Sequence, residues 1–178
     1  MVPAVPPAAL PRLTLVLGGA RSGKSRQAEA RVTAQSPPWI YVATAQAFDD
    51  EMTGRIAQHK ARRADGWQTL EAPLDLAALV RAQADSTTPM LIDCLTLWLS
   101  NVMLAELNVS AACADLLDAL TAARGPIVTV SNEVGLGIVP DNALARAFRD
   151  AQGRLNQDVA ALADRVILMA AGLPLTLK

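Results

Sequence analysis

Residues 18–25 read Gly18-Gly19-Ala20-Arg21-Ser22-Gly23-Lys24-Ser25 and directly follow the apolar run Leu13-Thr14-Leu15-Val16-Leu17. A strand, a tight glycine loop and a helix start thus come in the order that phosphate binding requires. The spaced glycines let backbone N–H groups converge on phosphate oxygens, Lys24 reaches the β- and γ-phosphates, and Ser25 can ligate Mg²⁺. The pattern predicts a nucleoside triphosphate site. The alternative is a bare glycine turn before a helix.

Apolar runs and helical patterns alternate along the rest of the chain. We predict strands at residues 13–17, 39–43, 67–71, 90–93, 127–131, 165–170 and 175–177. We predict helices at residues 24–34, 49–64, 73–84, 95–107, 110–124 and 142–163. This alternation indicates an α/β fold in which helices flank a mostly parallel sheet with an antiparallel C-terminal edge strand. Ligands of such folds bind beyond the carboxyl ends of the strands.

Length and composition predict a single-domain protein and argue against nucleic-acid and membrane binding. With 178 residues, the chain is expected to form one domain over residues 13–178, preceded by a flexible, proline-rich extension at residues 1–12. A net charge of −1 provides no general field for nucleic acid or an anionic membrane surface. No apolar run approaches the roughly 18 residues of a membrane span, so we expect a soluble, cytoplasmic protein without stable membrane insertion. Cys94 and Cys113 lack metal or redox spacing and are expected to be reduced thiols.

Asp93 ends an apolar strand. In proteins with a phosphate-binding loop this is the position of the acidic residue that holds Mg²⁺ directly or through water. Asp93 is therefore predicted to share a metal ion with Ser25. A helix N-cap for the segment beginning at Cys94 is the alternative role, and the two are compatible.

The single histidine of the chain lies in a basic segment. Arg55, His59, Arg62 and Arg63 follow a helical spacing, which places an imidazole among guanidinium groups on one face. Such a face suits a triphosphate, and neighbouring positive charge disfavours the imidazolium form and leaves a neutral nucleophile. A solvated basic helix face is the alternative.

A second polar segment spans residues 131–157, with Asn132 and Glu133 leaving a buried strand and Arg146 and Arg149 on the following helix. These groups are predicted to face the strand ends. The alternative is a mobile surface loop followed by a solvated helix.

Three stretches carry a family resemblance: GGARSGKS, the EMxxRIxxHKxxR pattern at residues 51–63, and NEVGxGIVPxNxLARxFRDxxGRxNQ from residue 132. With them the chain resembles, from about residue 15 to residue 178, the bifunctional adenosylcobinamide kinase/adenosylcobinamide-phosphate guanylyltransferases of cobalamin biosynthesis. The resemblance implies a RecA-like fold with a phosphate-binding loop (P-loop) and a homo-oligomer, expected to be a trimer. It implies that adenosylcobinamide is phosphorylated by ATP or GTP. GMP is then transferred from GTP, through a GMP-histidine intermediate, to that phosphate, giving adenosylcobinamide-GDP and pyrophosphate.

The resemblance also implies roles for individual residues, with Mg²⁺ as the metal. His59 matches the guanylylated histidine, and Lys24 acts in catalysis at the triphosphate. The remaining implied contacts are to the triphosphate for Gly18, Gly19, Ala20, Arg21, Ser22, Gly23, Lys24 and Ser25; to GTP for Ala43, Thr44, Ala45, Lys60, Ala61, Arg62 and Arg63; and to nucleotide or metal for Glu71 and Asp93.

Two other functions remain open from the residues alone. One is a small-molecule kinase with a P-loop in which His59 and its arginines only neutralise phosphate charge. The other is a nucleotide-dependent switch or binding protein that acts through loop ordering. The corrin ring has no evident binding motif, and Trp67 or Trp98 either stacks on it or packs in the core.

Overall fold

The structure is a computed structural model that describes residues 9–45 and 65–178. The strands are β1 (Leu13–Gly18), β2 (Trp39–Ala43), β3 (Trp67–Glu71), β4 (Met90–Asp93), β5 (Ile127–Asn132), β6 (Arg165–Ala170) and β7 (Leu173–Thr176). The helices are α1 (Lys24–Thr33), α2 (Leu76–Ala82), α3 (Leu95–Leu104), α4 (Val109–Ala122) and α5 (Ala143–Leu162). The helix predicted at residues 49–64 lies outside the described residues.

The strands form one seven-stranded sheet in the order β3-β2-β4-β5-β1-β6-β7. All neighbouring pairs are parallel except β6 and β7, which pair antiparallel at the edge. The predicted α/β architecture with an antiparallel C-terminal edge strand is therefore confirmed. Because β5 lies between β1 and β4, the carboxyl ends of these three strands are neighbours.

Strand β1 is buried along its whole length, which explains its nearly unbroken apolar sequence. Leu13, Leu15 and Leu17 pack into the larger core, with apolar residues of α2, α3, α4 and α5. Val16 points to the other face and packs with Val32 of α1. Helices on both faces thus hold the central strand, and the P-loop that follows it, in place.

Two helix boundaries differ from the prediction by three residues, and the other differences are one or two residues. Helix α2 begins at Leu76 rather than residue 73, because the carbonyls of Pro73 and Leu74 accept side-chain hydrogen bonds from Asn101 and Trp98. Helix α3 ends at Leu104 rather than residue 107. There Glu106 adopts a left-handed φ of 55°, and the N–H of Leu107 bonds the carbonyl of Val102.

Within the described ranges, no helix is both long and apolar enough to cross a bilayer. Cys94 is buried and Cys113 is half-buried, and both are free thiols as predicted. Burial raises the pKa of the Cys94 thiol to about 12, so this group stays protonated at neutral pH.

Candidate active site

The P-loop connects β1 to α1 with two glycines in conformations that disfavour a side chain. Gly18 has a φ of 154°, and a Cβ there would lie 2.6 Å from the carbonyl oxygen of Met169 and from the Ser22 hydroxyl. Gly23 is the N-cap of α1 with a left-handed φ of 95°. Both positions therefore need glycine, and together they bring the loop round to the first turn of α1.

The turn between β6 and β7 lies against this loop. The N–H of Gly172 donates to the carbonyl of Ser22 at 3.2 Å. The C-terminal hairpin thus supports the P-loop from the side opposite β5.

Lys24 opens α1 with its side chain inside the loop and only 8% of the residue exposed. Its Nζ donates to the carbonyl of Gly19 at 2.7 Å. Burial lowers the pKa of Lys24, and the negative charge of nearby Asp93 partly offsets that shift. The lysine is therefore a partly desolvated cation at the start of a helix, where unpaired N–H groups already favour anions.

Ser25 and Asp93 come together although 68 residues separate them. The Ser25 Oγ lies 3.5 Å from Oδ1 of Asp93, and the Tyr41 hydroxyl donates to Oδ2 at 3.0 Å. A hydroxyl and a carboxylate oxygen suit Mg²⁺, which takes few protein ligands and completes its shell with water and phosphate. The part of the chain that the structure describes holds no group of three or more His, Cys, Asp or Glu side chains arranged for a metal. The two oxygens thus fit a metal bound mostly through a nucleotide.

Asp93 is not the N-cap of α3, because Cys94 occupies that position. The N-cap alternative for Asp93 is wrong.

The exit of β2 is tied to the exit of β4. The Thr44 hydroxyl accepts from the Cys94 N–H and donates to the Cys94 carbonyl, both at 2.8 Å. The buried Asn101 donates to the carbonyls of Thr44 and Pro73. Ala43, Thr44 and Ala45 therefore leave the sheet from a fixed position beside Asp93.

Glu71 lies at the end of the edge strand β3, paired with Ala43. Four strand spacings separate β3 from β1, which is about 19 Å at 4.8 Å per strand. A single phosphate group therefore does not reach both Glu71 and the P-loop. His59, Lys60, Ala61, Arg62 and Arg63 lie outside the described residues.

The loop after β5 begins beside the P-loop, since the Glu133 N–H donates to the carbonyl of Gly18 at 3.1 Å. The guanidinium of Arg146 donates to the carbonyls of Pro140 and Asp141, and Arg149 pairs with Asp150. Asn132 and Glu133 therefore reach the strand ends as predicted, whereas both arginines have partners within their own segment.

The tryptophans pack against other side chains or the backbone of the protein. Trp98 is 1% exposed and its indole N–H donates to the carbonyl of Leu74. Trp67 packs against Trp39, with ring centroids 5.4 Å apart, and against Tyr41 at 5.9 Å. Packing in the core accounts for Trp98, whereas Trp67 packs against its neighbours but is only half-buried.

The chain is similar in sequence to known proteins. Residues 14–177 match the family model described as cobinamide kinase / cobinamide phosphate guanyltransferase. The chain belongs to this family. The bifunctional adenosylcobalamin biosynthesis protein CobP of Pseudomonas aeruginosa is 49% identical over 167 residues, covering 92% of this chain and 96% of that protein. CobU of Salmonella typhimurium, with the same description, is 41% identical over 181 residues, covering 93% and 99%.

Solved structures show the fold of this cobinamide kinase/guanyltransferase family member. The chain superposes on an ATPase of a type III secretion system with a TM-score of 0.56 at 12% identity, covering 94% of this chain but spanning only 57% of that one. It superposes on the RadB recombinase with a TM-score of 0.54 at 14% identity, covering 89% and 74%. The predicted RecA-like class of P-loop fold is thereby confirmed.

Several residues of this family member's site were not predicted from the sequence. They are Tyr41 and Asn101, together with the buried polar side chains Thr96, Ser131, Gln152 and Asn156. Each acts through contacts between distant segments. For Tyr41, Thr96, Asn101 and Ser131 the local signal was a polar residue inside an otherwise apolar strand or helix. Gln152 and Asn156 lie on α5 among other polar and charged residues, so no such signal marks them.

Proposed function

We propose that this protein phosphorylates adenosylcobinamide with ATP or GTP. It then transfers GMP from GTP, through a GMP adduct on His59, to adenosylcobinamide phosphate, giving adenosylcobinamide-GDP and pyrophosphate. The observation that carries the proposal is the P-loop with its Ser25–Asp93 pair, in a chain that matches the family over residues 14–177. Nucleotides are therefore the donors, and a corrinoid is the acceptor.

For the kinase step, the amides of residues 18–25 bind the phosphates and Lys24 neutralises charge at the β- and γ-phosphates. Ser25 and Asp93 would hold Mg²⁺, which supplies charge neutralisation at the phosphates. Desolvation of Lys24 strengthens its attraction to a bound triphosphate, and the bound anion in turn favours the ammonium form.

For the guanylyl step, His59 attacks the α-phosphorus and pyrophosphate leaves. Attack at the α-phosphorus and at the γ-phosphorus requires different alignments of nucleotide and nucleophile. The order of the strands in the sheet supports separate positions for the two reactions. Residues 43–45 and Glu71 lie towards the β3 edge, where the guanosine part of GTP and Lys60, Ala61, Arg62 and Arg63 are proposed to meet.

GTP labelled at the α-phosphate tests the whole proposal. The protein is expected to retain label after denaturation and to lose it when adenosylcobinamide phosphate is added before denaturation. GTP labelled at the γ-phosphate is the control and should leave no label on the protein. A protein that phosphorylates adenosylcobinamide but never takes up the α-label is a simple kinase, and the guanylyl proposal is then wrong.

The metal assignment predicts a shared defect. Ser25→Ala and Asp93→Asn should each raise the Mg²⁺ concentration for half-maximal activity about 10- to 100-fold, because each removes an oxygen from the same ion. Tyr41→Phe is the control, since it removes only a hydrogen bond to Asp93 and should shift the titration less. A Mg²⁺ titration unchanged in Asp93→Asn excludes Asp93 from the site.

We further propose a homotrimer of single catalytic domains, residues 13–178, in the cytoplasm with its nucleotide donors and without a nucleic acid partner. Large apolar side chains at the surface support assembly: Leu136 is 88%, Ile138 97% and Leu173 71% exposed. Light scattering at micromolar concentration is expected to give three times the 18.7 kDa chain mass. A fully active monomer contradicts the assembly.

A further inference from the structure

The exit of β5 is held by a buried polar network. The Ser131 hydroxyl donates to Oδ1 of Asn156 at 2.6 Å, and Nε2 of Gln152 donates to both of these oxygens. Ser131 and Gln152 are fully buried, and Asn156 is 6% exposed. Buried polar groups are costly unless they are paired, and in this network only Oε1 of Gln152 lacks a partner among the described residues. The paired groups orient the backbone to which they bond.

Side chains of the network form hydrogen bonds with the backbone of Asn132, the residue before Glu133. The N–H of Asn132 donates to the Thr96 hydroxyl at 2.7 Å, and the carbonyl of Asn132 accepts from Asn156 at 3.0 Å. The next N–H, that of Glu133, bonds the carbonyl of Gly18. Side chains from α3 and α5, together with the P-loop, therefore fix the position of the Glu133 backbone.

Only one of the two oxygens of the Glu133 carboxylate accepts a hydrogen bond from the described residues. Its Oε1 accepts from the N–H of Gly135 at 2.6 Å. Within residues 9–45 and 65–178, Oε2 has no hydrogen-bond partner and no cationic side chain lies within 4 Å of the carboxylate. A carboxylate without a cationic partner beside a phosphate-binding loop repels the nucleotide. The restrained position of the Glu133 carboxylate therefore suggests a role in the chemistry of the site.

Among the described carboxylates, only Asp93 and Glu133 lie at the exits of β4 and β5, beside the P-loop. Asp93 faces Ser25 and Tyr41, which suits the metal, and Glu71 is about 19 Å away across the sheet. Among the carboxylates of residues 9–45 and 65–178, Glu133 is thus the one left to accept a proton from a group attacking the γ-phosphate.

We propose that Glu133 is the general base of the kinase step, an inference that rests on the proposed function. Its carboxylate takes the proton of the acceptor hydroxyl as that oxygen bonds to the γ-phosphorus. The bond from the γ-phosphorus to the β–γ bridging oxygen breaks, the nucleoside diphosphate leaves, and Glu133 later gives its proton to solvent. The guanylyl step starts from an acceptor phosphate that is already ionised and does not need this base.

The test compares the two reactions in Glu133→Gln, which keeps the shape and removes the basic oxygen. The kcat for phosphorylation of adenosylcobinamide should fall about 100-fold or more, while labelling by α-labelled GTP stays at the wild-type level. The acidic limb of the pH profile of kcat should disappear in this variant. Asp141→Asn, which removes an exposed charge from the same loop, is the control and should change neither reaction.

A second variant probes placement without removing the carboxylate. A Cβ at residue 135 would lie 2.9 Å from Oε1 of Glu133, so Gly135→Ala should displace the carboxylate and give an intermediate loss of kinase activity. Kinase activity of Glu133→Gln within threefold of wild type, or an equal loss of kinase and labelling, overturns the proposed base. A wild-type protein that does not phosphorylate adenosylcobinamide instead overturns the proposed function, and the base with it.

Discussion

Lys24→Met is expected to lower both phosphorylation of adenosylcobinamide and uptake of GMP by about 10³-fold or more. The lysine is the one cation of the P-loop placed inside it, with its Nζ 2.7 Å from the carbonyl of Gly19. Loss of a single preorganised donor that stabilises charge in a transition state already costs 10²–10³-fold, and here a full charge is removed. Methionine keeps the buried stem of the side chain. The measurement is kcat/KM for both reactions.

The same variant should fold normally. Because burial disfavours the ammonium form of Lys24, its removal should leave the melting temperature close to that of wild type at pH 7. The folded-state pKa lies below the unfolded value of 10.5, so the wild type should gain stability relative to the variant as the pH rises towards 10.5. Arg26→Ala removes an exposed cation from the same helix and is the control. Wild-type turnover in Lys24→Met removes the P-loop from the mechanism.

His59→Ala should abolish covalent GMP labelling and guanylyl transfer while leaving phosphorylation of adenosylcobinamide largely intact. His59 is the only imidazole of the chain and hence the only candidate for a phosphoramidate link. A histidine is largely neutral near pH 7 and can attack directly, whereas a lysine must first lose a proton. The kinase step transfers the γ-phosphoryl group without a covalent enzyme intermediate, so it does not depend on this side chain.

The chemistry of the adduct gives an independent readout. Phosphorus bound to an imidazole nitrogen should be released in acid and survive in alkali. Gln58→Ala, a change at the preceding position, is the control and should label normally. Acid-stable label, or full labelling of His59→Ala, identifies a different nucleophile and overturns this mechanism.

The sequence predicted the parts of this protein that depend on local pattern. The spacing of Gly18, Gly23 and Lys24 is sufficient for the P-loop, because a strand, a glycine turn and a helix start are short-range features. The alternation of strands with helices predicted the parallel sheet for the same reason. The end of α3 was missed because Glu106, rather than glycine, adopts the left-handed conformation there.

Contacts between distant segments were beyond such reasoning. Tyr41 reaches Asp93 across 52 residues, and Asn156 reaches Asn132 across 24. Both separations are much longer than a helical turn or a strand, so no local sequence pattern indicates these contacts. The sequence singles out Asp93 because an acidic residue at the end of an apolar strand is a local feature, and the structure places it 3.5 Å from Ser25. Its role at a metal ion stays a prediction.

The place of β1 in the sheet has a consequence during synthesis on the ribosome. The P-loop is made early, but its strand pairs with β5 and β6, and Gly172 must bond Ser22. At 5–20 residues per second, residue 170 follows residue 25 by about 7–29 s. Until residue 132 is added the nascent chain carries an apolar strand without either neighbour, and until residue 170 is added that strand still lacks β6. Nucleotide therefore cannot assist the early stages of folding, and it stabilises the chain only after the last strands have been translated.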